Sequence, residues 1–316
     1  MMNYAKIIGT GSYLPRNVLS NKDLERLVDT SDEWISSRTG IHSRHIASAH
    51  ETVTSMAEIA SKNALEMAQI EPNQIDLIIV ATCTPENFFP STACLLQHRL
   101  KIPTCIAFDM SAACSGFIYA LATAEQYIRS GAVKRALVVG SEVMSRVMDW
   151  KDRNTCILFG DGAGAVLLTQ ANEPGIIDSQ LGANGTEKDV LTLPTGLYDE
   201  AAHVRMNGRE VFKMAVEAMT NSVRHLIEDN HLTVQDIDWI IPHQANTRII
   251  KAILTRLNFP LDHAIMTIQE QGNTSGASIP LALDQGIRDH RIQLGQHLLL
   301  EAFGGGFTWG GILLKY

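Results

Sequence analysis

The chain has 316 residues, of which 45% are hydrophobic and 19% charged, a composition typical of a globular protein with a large core. No apolar segment reaches the roughly 18 residues of a membrane span, and the amino terminus lacks the apolar region of a secretory signal, so we expect a cytosolic protein without membrane association. The formal net charge of −8 argues against a nucleic-acid partner.

Short apolar runs alternate with longer amphipathic ones along the whole chain. Apolar residues recur at helical spacing in residues 55–68 and 211–228, which predicts a helix in each segment. Continuous apolar runs predict strands that are buried on both faces, at residues 77–80, 136–139, 163–168, 239–241 and 297–300. The pattern predicts an α/β fold whose sheets are covered by helices on both sides.

Two halves of the chain repeat one another, which indicates an internal duplication. We place the halves at residues 1–170 and 171–316. Three pairs of segments align in order: 75–82 with 237–244 at an offset of 162, Cys114 with Thr274 at 160, and 137–142 with 298–303 at 161.

The segments that follow Cys114 and Thr274 are apolar nearly all round, at residues 117–124 and 279–283. A helix without a polar face is buried. We therefore expect two buried helices, one from each half, between two sheets.

Among the five cysteines, which form no CxxC motif, Cys114 is the candidate nucleophile. It lies in Met-Ser-Ala-Ala-Cys-Ser-Gly, residues 110–116, at the predicted start of a buried helix. The unpaired N–H groups and the dipole of a helix start favour a thiolate, so we expect a lowered pKa. The cysteine spacing predicts neither a disulfide framework nor a metal site.

His243 and Asn273 are the candidate partners of this cysteine. His243 follows a predicted strand directly, and the carboxyl ends of strands face the ligand crevice of α/β sheets. Asn273 precedes the second buried helix, and the repeat brings the starts of both buried helices together. Three glycines at 304–306 follow the last predicted strand, and backbone N–H groups in such a turn can bind an oxyanion.

Seven short motifs are spread along the chain: Gly-Thr-Gly-Ser-Tyr-Leu-Pro (9–15), Asp-Glu-Trp-Ile (32–35) with Arg-Thr-Gly-Ile (38–41), Ala-Ala-Cys-Ser-Gly (112–116), Phe-Gly-Asp-Gly-Ala-Gly (159–164), His-Gln-Ala-Asn-Thr-Arg (243–248), Gly-Asn-Thr-Ser (272–275) and Phe-Gly-Gly-Gly-Phe-Thr-Trp (303–309). In this order they resemble the thiolase superfamily, and most closely its β-ketoacyl-acyl carrier protein synthase III family. The resemblance covers essentially the whole chain. Elongating condensing enzymes of the superfamily have a second histidine where this chain has Asn273.

The resemblance implies a five-layered αβαβα sandwich that works as a homodimer and starts fatty acid synthesis. Cys114 would attack an acyl-coenzyme A primer, acetyl-CoA, while the N–H groups of Cys114 and Gly305 hold the oxyanion. His243 and Asn273 would donate hydrogen bonds to malonyl-acyl carrier protein as CO₂ leaves. No cofactor is expected, because coenzyme A thioester is a substrate.

The resemblance also assigns binding residues. Trp34 would stack on the adenine of coenzyme A, with Arg38 and Arg153 near the nucleotide. Phe89, or its neighbour Phe88, would close the acyl pocket of the partner subunit. A predicted amphipathic helix that carries three positive charges follows His243, and acyl carrier protein would dock at its start, on Gln244, Ala245, Asn246, Thr247 and Arg248.

Three alternatives stay open. A papain-like hydrolase also uses Cys, His and Asn in this order, although the surroundings of Cys114 differ from its motif. A non-enzymatic binding module would have no use for three converging reactive residues. A related condensing enzyme of secondary metabolism would share nearly all the motifs.

Overall fold

The computed structural model describes residues 3–197, 199 and 202–316. Within this part of the chain, no helix is both long and apolar enough to cross a membrane. The strands are β1 (Tyr4–Tyr13), β2 (Asn17–Ser20), β3 (Ser43–Ile46), β4 (Leu77–Ala81), β5 (Ile106–Met110), β6 (Arg135–Val143), β7 (Asp161–Ala171), β8 (Ile176–Ala183), β9 (Leu191–Thr192), β10 (Arg205–Met206), β11 (Trp239–Pro242), β12 (His297–Gly304) and β13 (Thr308–Lys315). The α-helices are α1 (Asn21–Leu24), α2 (Asp32–Thr39), α3 (Val53–Ala68), α4 (Thr92–Arg99), α5 (Gly116–Arg129), α6 (Gly208–Asp229), α7 (Thr247–Leu257), α8 (Ile268–Gln271) and α9 (Ser278–Arg288).

Two larger sheets, one in each half of the chain, organise the fold. The first has five strands in the order β1-β7-β6-β4-β5, and the second has four in the order β11-β12-β13-β8. β4 pairs in parallel with β5 and β6, and β11 pairs in parallel with β12. The first sheet ends in sequence at Ala171 and the second begins at Ile176.

The way in which apolar residues alternate along the strands produces five layers. Ile78 of β4 packs against α3 on the outside, whereas Ile79 faces the central helices α5 and α9. In the second half, Leu299 of β12 packs against α6 and α7, and Leu300 faces the same central helices. Full burial of one such side chain stabilises the fold by roughly 1.5–3 kcal/mol. The predicted αβαβα layering is confirmed.

The internal repeat is visible in the backbone, but its register differs from the predicted one. β4 corresponds to β11 and β6 to β12 at one offset of 162 (239 − 77 and 298 − 136). Ala113 and Ser275 share this offset (275 − 113), and both have a positive φ, of 47° and 50°. Cys114 therefore corresponds to Gly276, so the predicted offsets of 160 and 161 are wrong by two residues and by one.

Candidate active site

A cavity of about 560 Å³ collects most of the residues that the sequence marks as functional. Its volume is in the range of small-molecule sites. The buried side chains of Cys114, His243 and Asn273, which are 7%, 1% and 5% exposed, form its inner end. The exposed Arg209 and Arg248 lie at its outer end. The structure thus brings the three candidate catalytic residues together at the bottom of one cavity.

Cys114 lies in a 3-10 turn that leads into α5. Its thiol donates to the hydroxyl of Ser275, with 3.5 Å between Sγ and Oγ. Burial raises the pKa of Cys114 to about 12; the hydrogen bond to Ser275 lowers it, and the charge of Glu142 raises it. The resting nucleophile is therefore a neutral thiol. The predicted lowered pKa is wrong, because burial opposes the charged form more strongly than the helix start supports it.

His243 follows β11, and its ring meets that of Phe303 edge-on, with 5.4 Å between the ring centres. Its Nδ1 lies 2.6 Å from Oγ of Ser278. This hydroxyl accepts from the backbone N–H of Gln244 at 3.4 Å, so its own proton is directed at Nδ1. Nε2 then carries the ring proton, and no hydrogen-bond partner for it is found among the described residues. Burial lowers the pKa of His243 to about 3, so the ring is neutral.

Asn273 is held through its backbone and its side chain. Its N–H donates to the carbonyl of Leu158 at 2.8 Å, and its own carbonyl accepts from Gly160 at 3.0 Å. The side-chain Oδ1 accepts from the backbone N–H of Ser275 at 2.9 Å. Because Oδ1 is occupied, the group that Asn273 offers to the cavity is its Nδ2 donor.

The glycine turn after β12 approaches the nucleophile from the other side. A Cβ on Gly304 would come within 2.8 Å of the backbone nitrogen of Cys114, so this close approach requires glycine. Gly305 is the next residue and lies beside the cavity rather than in its lining. Its carbonyl accepts from Thr308 at 3.3 Å, and Thr308 accepts from Ser115 at 2.8 Å. These bonds tie the turn to the start of α5.

Trp34, on α2, lines the outer part of the cavity together with Arg38. The guanidinium carbons of Arg38 and Arg153 lie 4.9 and 4.8 Å from the centre of the Trp34 ring, within the range of a cation–π attraction. Arg153 also donates to the carbonyl of Asp29 at 2.8 Å and lies outside the cavity lining. The three residues predicted to contact a nucleotide thus form one cluster.

The segment 244–248 connects β11 to α7. Gln244 and Ala245 are buried, so their side chains cannot reach a docked protein, contrary to the predicted docking set. Asn246 accepts from the backbone N–H of Arg248 at 2.8 Å and so caps α7. Arg248 is exposed and Thr247 half-buried. The part of this segment that a partner could contact is therefore Asn246, Thr247 and Arg248.

Comparisons with known proteins agree with this geometry. Models of 3-oxoacyl-[acyl-carrier-protein (ACP)] synthase III match residues 108–185 and, for its C-terminal part, 227–316. The chain is 56% identical over 321 aligned positions to β-ketoacyl-[acyl-carrier-protein] synthase III of Methylococcus capsulatus, with 100% of both proteins covered. The crystal structure of 3-oxoacyl-[acyl-carrier-protein] synthase III from Aquifex aeolicus is 50% identical and has a TM-score of 0.95, covering 99% of this chain and 100% of that one. The chain belongs to the 3-oxoacyl-[acyl-carrier-protein] synthase III family.

As a synthase III, the protein is an acyltransferase that catalyses the initiating condensation of fatty acid synthesis, as the sequence predicts. The predicted thiolase-like fold is confirmed by the same structural relatives, so the papain-like alternative is wrong. A priming β-ketosynthase from a polyketide biosynthetic pathway has 37% identity and a TM-score of 0.96, covering 99% of this chain and 96% of that one. A secondary-metabolite enzyme therefore shares this architecture.

Phe88 and Phe89 of this synthase III lie on the surface, 70% and 88% exposed, outside the cavity lining. Two exposed aromatic side chains next to one another are typical of a surface that another chain covers. Their exposure is compatible with the predicted contact to a second copy.

Two serines that the sequence analysis did not single out belong to the site. Ser275 accepts from Cys114, and Ser278 orients the ring of His243. Both lie close to the start of α9, within the Gly-Asn-Thr-Ser-Gly-Ala-Ser stretch (272–278), of which only Asn273 is a predicted catalytic residue. The signal that could have found them is a run of small hydroxyl residues at the start of a buried helix, where such side chains bond nearby polar groups.

Proposed function

We propose that this synthase III transfers the acyl group of acetyl-CoA to Cys114 and then condenses it with malonyl-acyl carrier protein. In the first step, Sγ of Cys114 bonds to the thioester carbonyl carbon and coenzyme A leaves, while the N–H groups of Cys114 and Gly305 hold the oxyanion. In the second step, the malonyl group loses CO₂ and the resulting enolate attacks the acyl carbon. The bond between Sγ of Cys114 and the acyl carbon then breaks, and β-ketoacyl-acyl carrier protein leaves. The reaction as written needs no cofactor.

The observation that carries this proposal is the pair of uncharged donors at the inner end of the cavity. His243 offers Nε2–H and Asn273 offers Nδ2, and the acceptor atom of each, Nδ1 of His243 and Oδ1 of Asn273, already accepts a hydrogen bond elsewhere. Loss of CO₂ places negative charge on the thioester oxygen, which prealigned donors stabilise without a proton transfer. A cysteine hydrolase would instead need a base at His243, and a protonated Nε2 cannot serve as one.

The outer half of the cavity suits coenzyme A. Trp34 and the planar guanidinium groups of Arg38 and Arg153 form a stacked cluster next to which a flat adenine ring would insert. Arg209 and Arg248 provide positive charge for phosphates at the same end. The pantetheine arm would then extend along the cavity to Cys114.

Malonyl-acyl carrier protein would dock at the cavity rim on Asn246, Thr247 and Arg248. A cytosolic location follows from the same proposal, since both thioester substrates would be drawn from that compartment. The distribution of charge supports the docking site, because α7 carries Arg248, Lys251 and Arg256 without an acidic residue. A positive surface attracts a strongly acidic partner.

The proposal includes a homodimer that pairs the two subunits at the edge of the first sheet. β5 is an outer strand of that sheet, and Ile106 at its start is 41% exposed. An exposed edge strand has unpaired backbone groups that a second copy can bind. Phe89, or Phe88, would then reach the acyl pocket of the partner subunit.

Mass spectrometry after mixing with acetyl-CoA tests the function. We expect an acetyl group on the Cys114 peptide, its disappearance when malonyl-acyl carrier protein is added, and no adduct in Cys114→Ser, whose hydroxyl does not ionise near neutral pH. A parent enzyme without an adduct, or near-normal condensation by Cys114→Ser, would refute the proposal. A clear preference for a longer or branched primer would instead support the secondary-metabolite alternative.

A further inference from the structure

A chain of hydrogen bonds leads from Cys114, away from the cavity, to a buried carboxylate. The Cys114 thiol donates to Ser275 Oγ at 3.5 Å, and the Ser275 hydroxyl donates to Glu142 Oε1 at 3.1 Å. Glu142 lies on β6 and is 0% exposed. Neither Ser275 nor Glu142 has a role in the condensation steps proposed above.

The contacts of Glu142 fit an ionised carboxyl group. It accepts from the hydroxyls of Thr82, Thr84 and Ser275 and from both the N–H and the thiol of Cys83. The Thr82 hydroxyl itself accepts from the backbone N–H of Thr84, so its proton is directed at Glu142. All of these partners donate, which fits a carboxylate, because a protonated carboxyl would need an acceptor for its own proton.

Cys114 needs a proton acceptor before it can attack. With a pKa of about 12, only about one Cys114 in 10⁵ is a thiolate at pH 7. His243 cannot take the proton, because Nε2 already carries one and Nδ1 is bonded to Ser278. Ser275 is the hydrogen-bond partner of the thiol, and it leads to Glu142. Burial raises the pKa of Glu142, which makes this carboxylate a stronger base than an exposed one.

We propose that Ser275 and Glu142 form a proton relay that activates Cys114, with the identity of the acyl donor resting on the proposed function. In acylation, Ser275 passes its hydroxyl proton to Glu142 and takes the thiol proton. The bond from Sγ to the acyl carbon forms, the bond to the coenzyme A sulfur breaks, and the departing thiolate takes a proton from solvent. In condensation, the bond from Sγ to the acyl carbon breaks, and the Cys114 thiolate recovers a proton from Glu142 through Ser275. Each cycle consumes one solvent proton and restores the carboxylate.

The structure contains a competing role for Glu142 that the test must separate. Its negative charge also raises the pKa of Cys114, so a purely electrostatic Glu142 would hinder the nucleophile. Removal of the charge would then speed reactions of Cys114, whereas loss of a relay would slow them. Among the described residues, the titratable groups that interact with Glu142 are the thiol of Cys83, by a direct hydrogen bond, and the thiol of Cys114, through its charge.

The test measures the rate at which iodoacetamide alkylates Cys114, resolved by peptide mass spectrometry between pH 6 and 9. This readout needs no acyl substrate, so it can fail independently of the proposed function. We expect a nearly flat rate in the parent, since the relay moves the proton without exchanging it with solvent. In Glu142→Gln and Ser275→Ala, the rate at pH 7 should fall by on the order of 10² and then rise about tenfold per pH unit, because only hydroxide then removes the proton. Acylation by acetyl-CoA in a single turnover should show the same pattern.

Thr82→Val is the matched control, because it removes a hydroxyl that also donates to Glu142 but lies off the path to Cys114. Its alkylation should stay within about threefold of the parent, and Glu142→Asp should recover part of the flat profile. If Glu142→Gln does not fold, Ser275→Ala still tests the relay. This variant keeps the backbone N–H of residue 275, which donates to Oδ1 of Asn273, and removes only the hydroxyl. The relay would be overturned if Glu142→Gln were alkylated as fast as the parent. It would also be overturned if the pH dependence of alkylation were the same in Ser275→Ala as in Thr82→Val.

Discussion

Near neutral pH neither Cys114 nor His243 carries a charge, because burial moves their pKa values in opposite directions, to about 12 and about 3. A thiolate–imidazolium pair, which activates many cysteine enzymes, therefore does not form in the resting site. In the proposed reaction two tasks are separate: the cysteine forms the acyl bond, and the neutral histidine and asparagine stabilise the later enolate.

We predict that His243→Ala and Asn273→Ala keep acylation of Cys114 but lose decarboxylation of the malonyl group. Removal of either donor should slow decarboxylation by a factor on the order of 10²–10³, as for other oxyanion donors. Single-turnover acylation with labelled acetyl-CoA and release of CO₂ from labelled malonyl-acyl carrier protein measure the two steps. Because His243 stays neutral above a pKa of about 3, its contribution to decarboxylation should not change between pH 5 and 8.

Serine substitution at the nucleophile is the control for this division of labour, since Cys114→Ser should lose acylation itself. Equal loss of both half-reactions in His243→Ala would mean that the histidine also serves the first step. If His243→Ala decarboxylated more slowly than the parent only below pH 7, the imidazolium, and not the neutral ring, would be the active form.

That the three catalytic candidates meet in one cavity could be predicted from their places at helix and strand ends, but their protonation could not. A cysteine at a helix start indicates a thiolate only while the group remains hydrated. The burial of Cys114 is produced jointly by the glycine turn at Gly304 and by Ser275, which lie 190 and 161 residues further along the chain (304 − 114 and 275 − 114). Such long-range packing has no local signature in the sequence.

At the level of elements, the strands and helices that apolar periodicity predicts lie nearly at their observed positions, because this periodicity is a direct consequence of the layers that they occupy. Four strands of the two larger sheets, β1, β5, β8 and β13, have no predicted counterpart. The register of the repeat differs from the predicted one. Ser-Gly follows both Cys114 and Thr274, which favours their alignment, whereas the strand pairing and the positive φ angles of Ala113 and Ser275 set the offset at 162 (275 − 113). A glycine in the sequence indicates that a positive φ is possible, whereas an alanine or a serine does not.

Helix α7 links the proposed docking residues, Asn246, Thr247 and Arg248, to the cavity. Its apolar face is buried as the spacing predicts, at Ile249, Ile250, Ile253, Leu254 and Leu257. At its start, Thr247 packs against Gly40 at the end of α2, the helix that carries Trp34 and Arg38. The guanidinium carbon of Arg248 lies 5.9 Å from the ring centre of Phe212 on α6. A protein bound at this helix start would therefore contact the rim of the proposed coenzyme A site.

We predict that Arg248→Glu raises the KM for malonyl-acyl carrier protein several-fold, while acylation by acetyl-CoA stays within about twofold. The reason is that charge reversal at an exposed docking residue slows encounter with an acidic protein. The difference between variant and parent should shrink at high ionic strength, because salt screens exposed charges. Both half-reactions measured at low and high salt provide the check.

Arg291→Glu makes the same change of charge at a residue that lies outside the cavity lining, in the connection between α9 and β12. It should leave the KM for malonyl-acyl carrier protein unaltered. An unchanged KM in Arg248→Glu, or equal losses in Arg248→Glu and Arg291→Glu, would show that the start of α7 is not where the carrier protein docks.

At the scale of the whole molecule, the site exists only where the two halves meet. Cys114 and Glu142 come from the first half, whereas His243, Asn273 and Ser275 come from the second. Gly140 packs so closely on the second half that an added Cβ would lie 2.3 Å from the carbonyl oxygen of Gly276. The halves therefore pack backbone against backbone next to the nucleophile, which fixes the distances across the site.

The final prediction concerns assembly. If the subunits pair along β5, Ile106→Lys should give monomers, because it places an unpaired charge on the apolar edge of each copy that the interface would bury. Leu294→Lys is the matched control, since Leu294 is also an exposed apolar residue, at 79%, but lies between α9 and β12, away from that edge. Sedimentation velocity should show dimers for the parent and Leu294→Lys and monomers for Ile106→Lys.

If Phe89 or Phe88 closes the pocket of the partner subunit, the Ile106→Lys monomer should also use longer acyl-CoA primers better, relative to acetyl-CoA, than the parent does. A dimeric Ile106→Lys would place the interface elsewhere, and a monomeric variant with unchanged primer preference would show that neither phenylalanine reaches the partner's pocket.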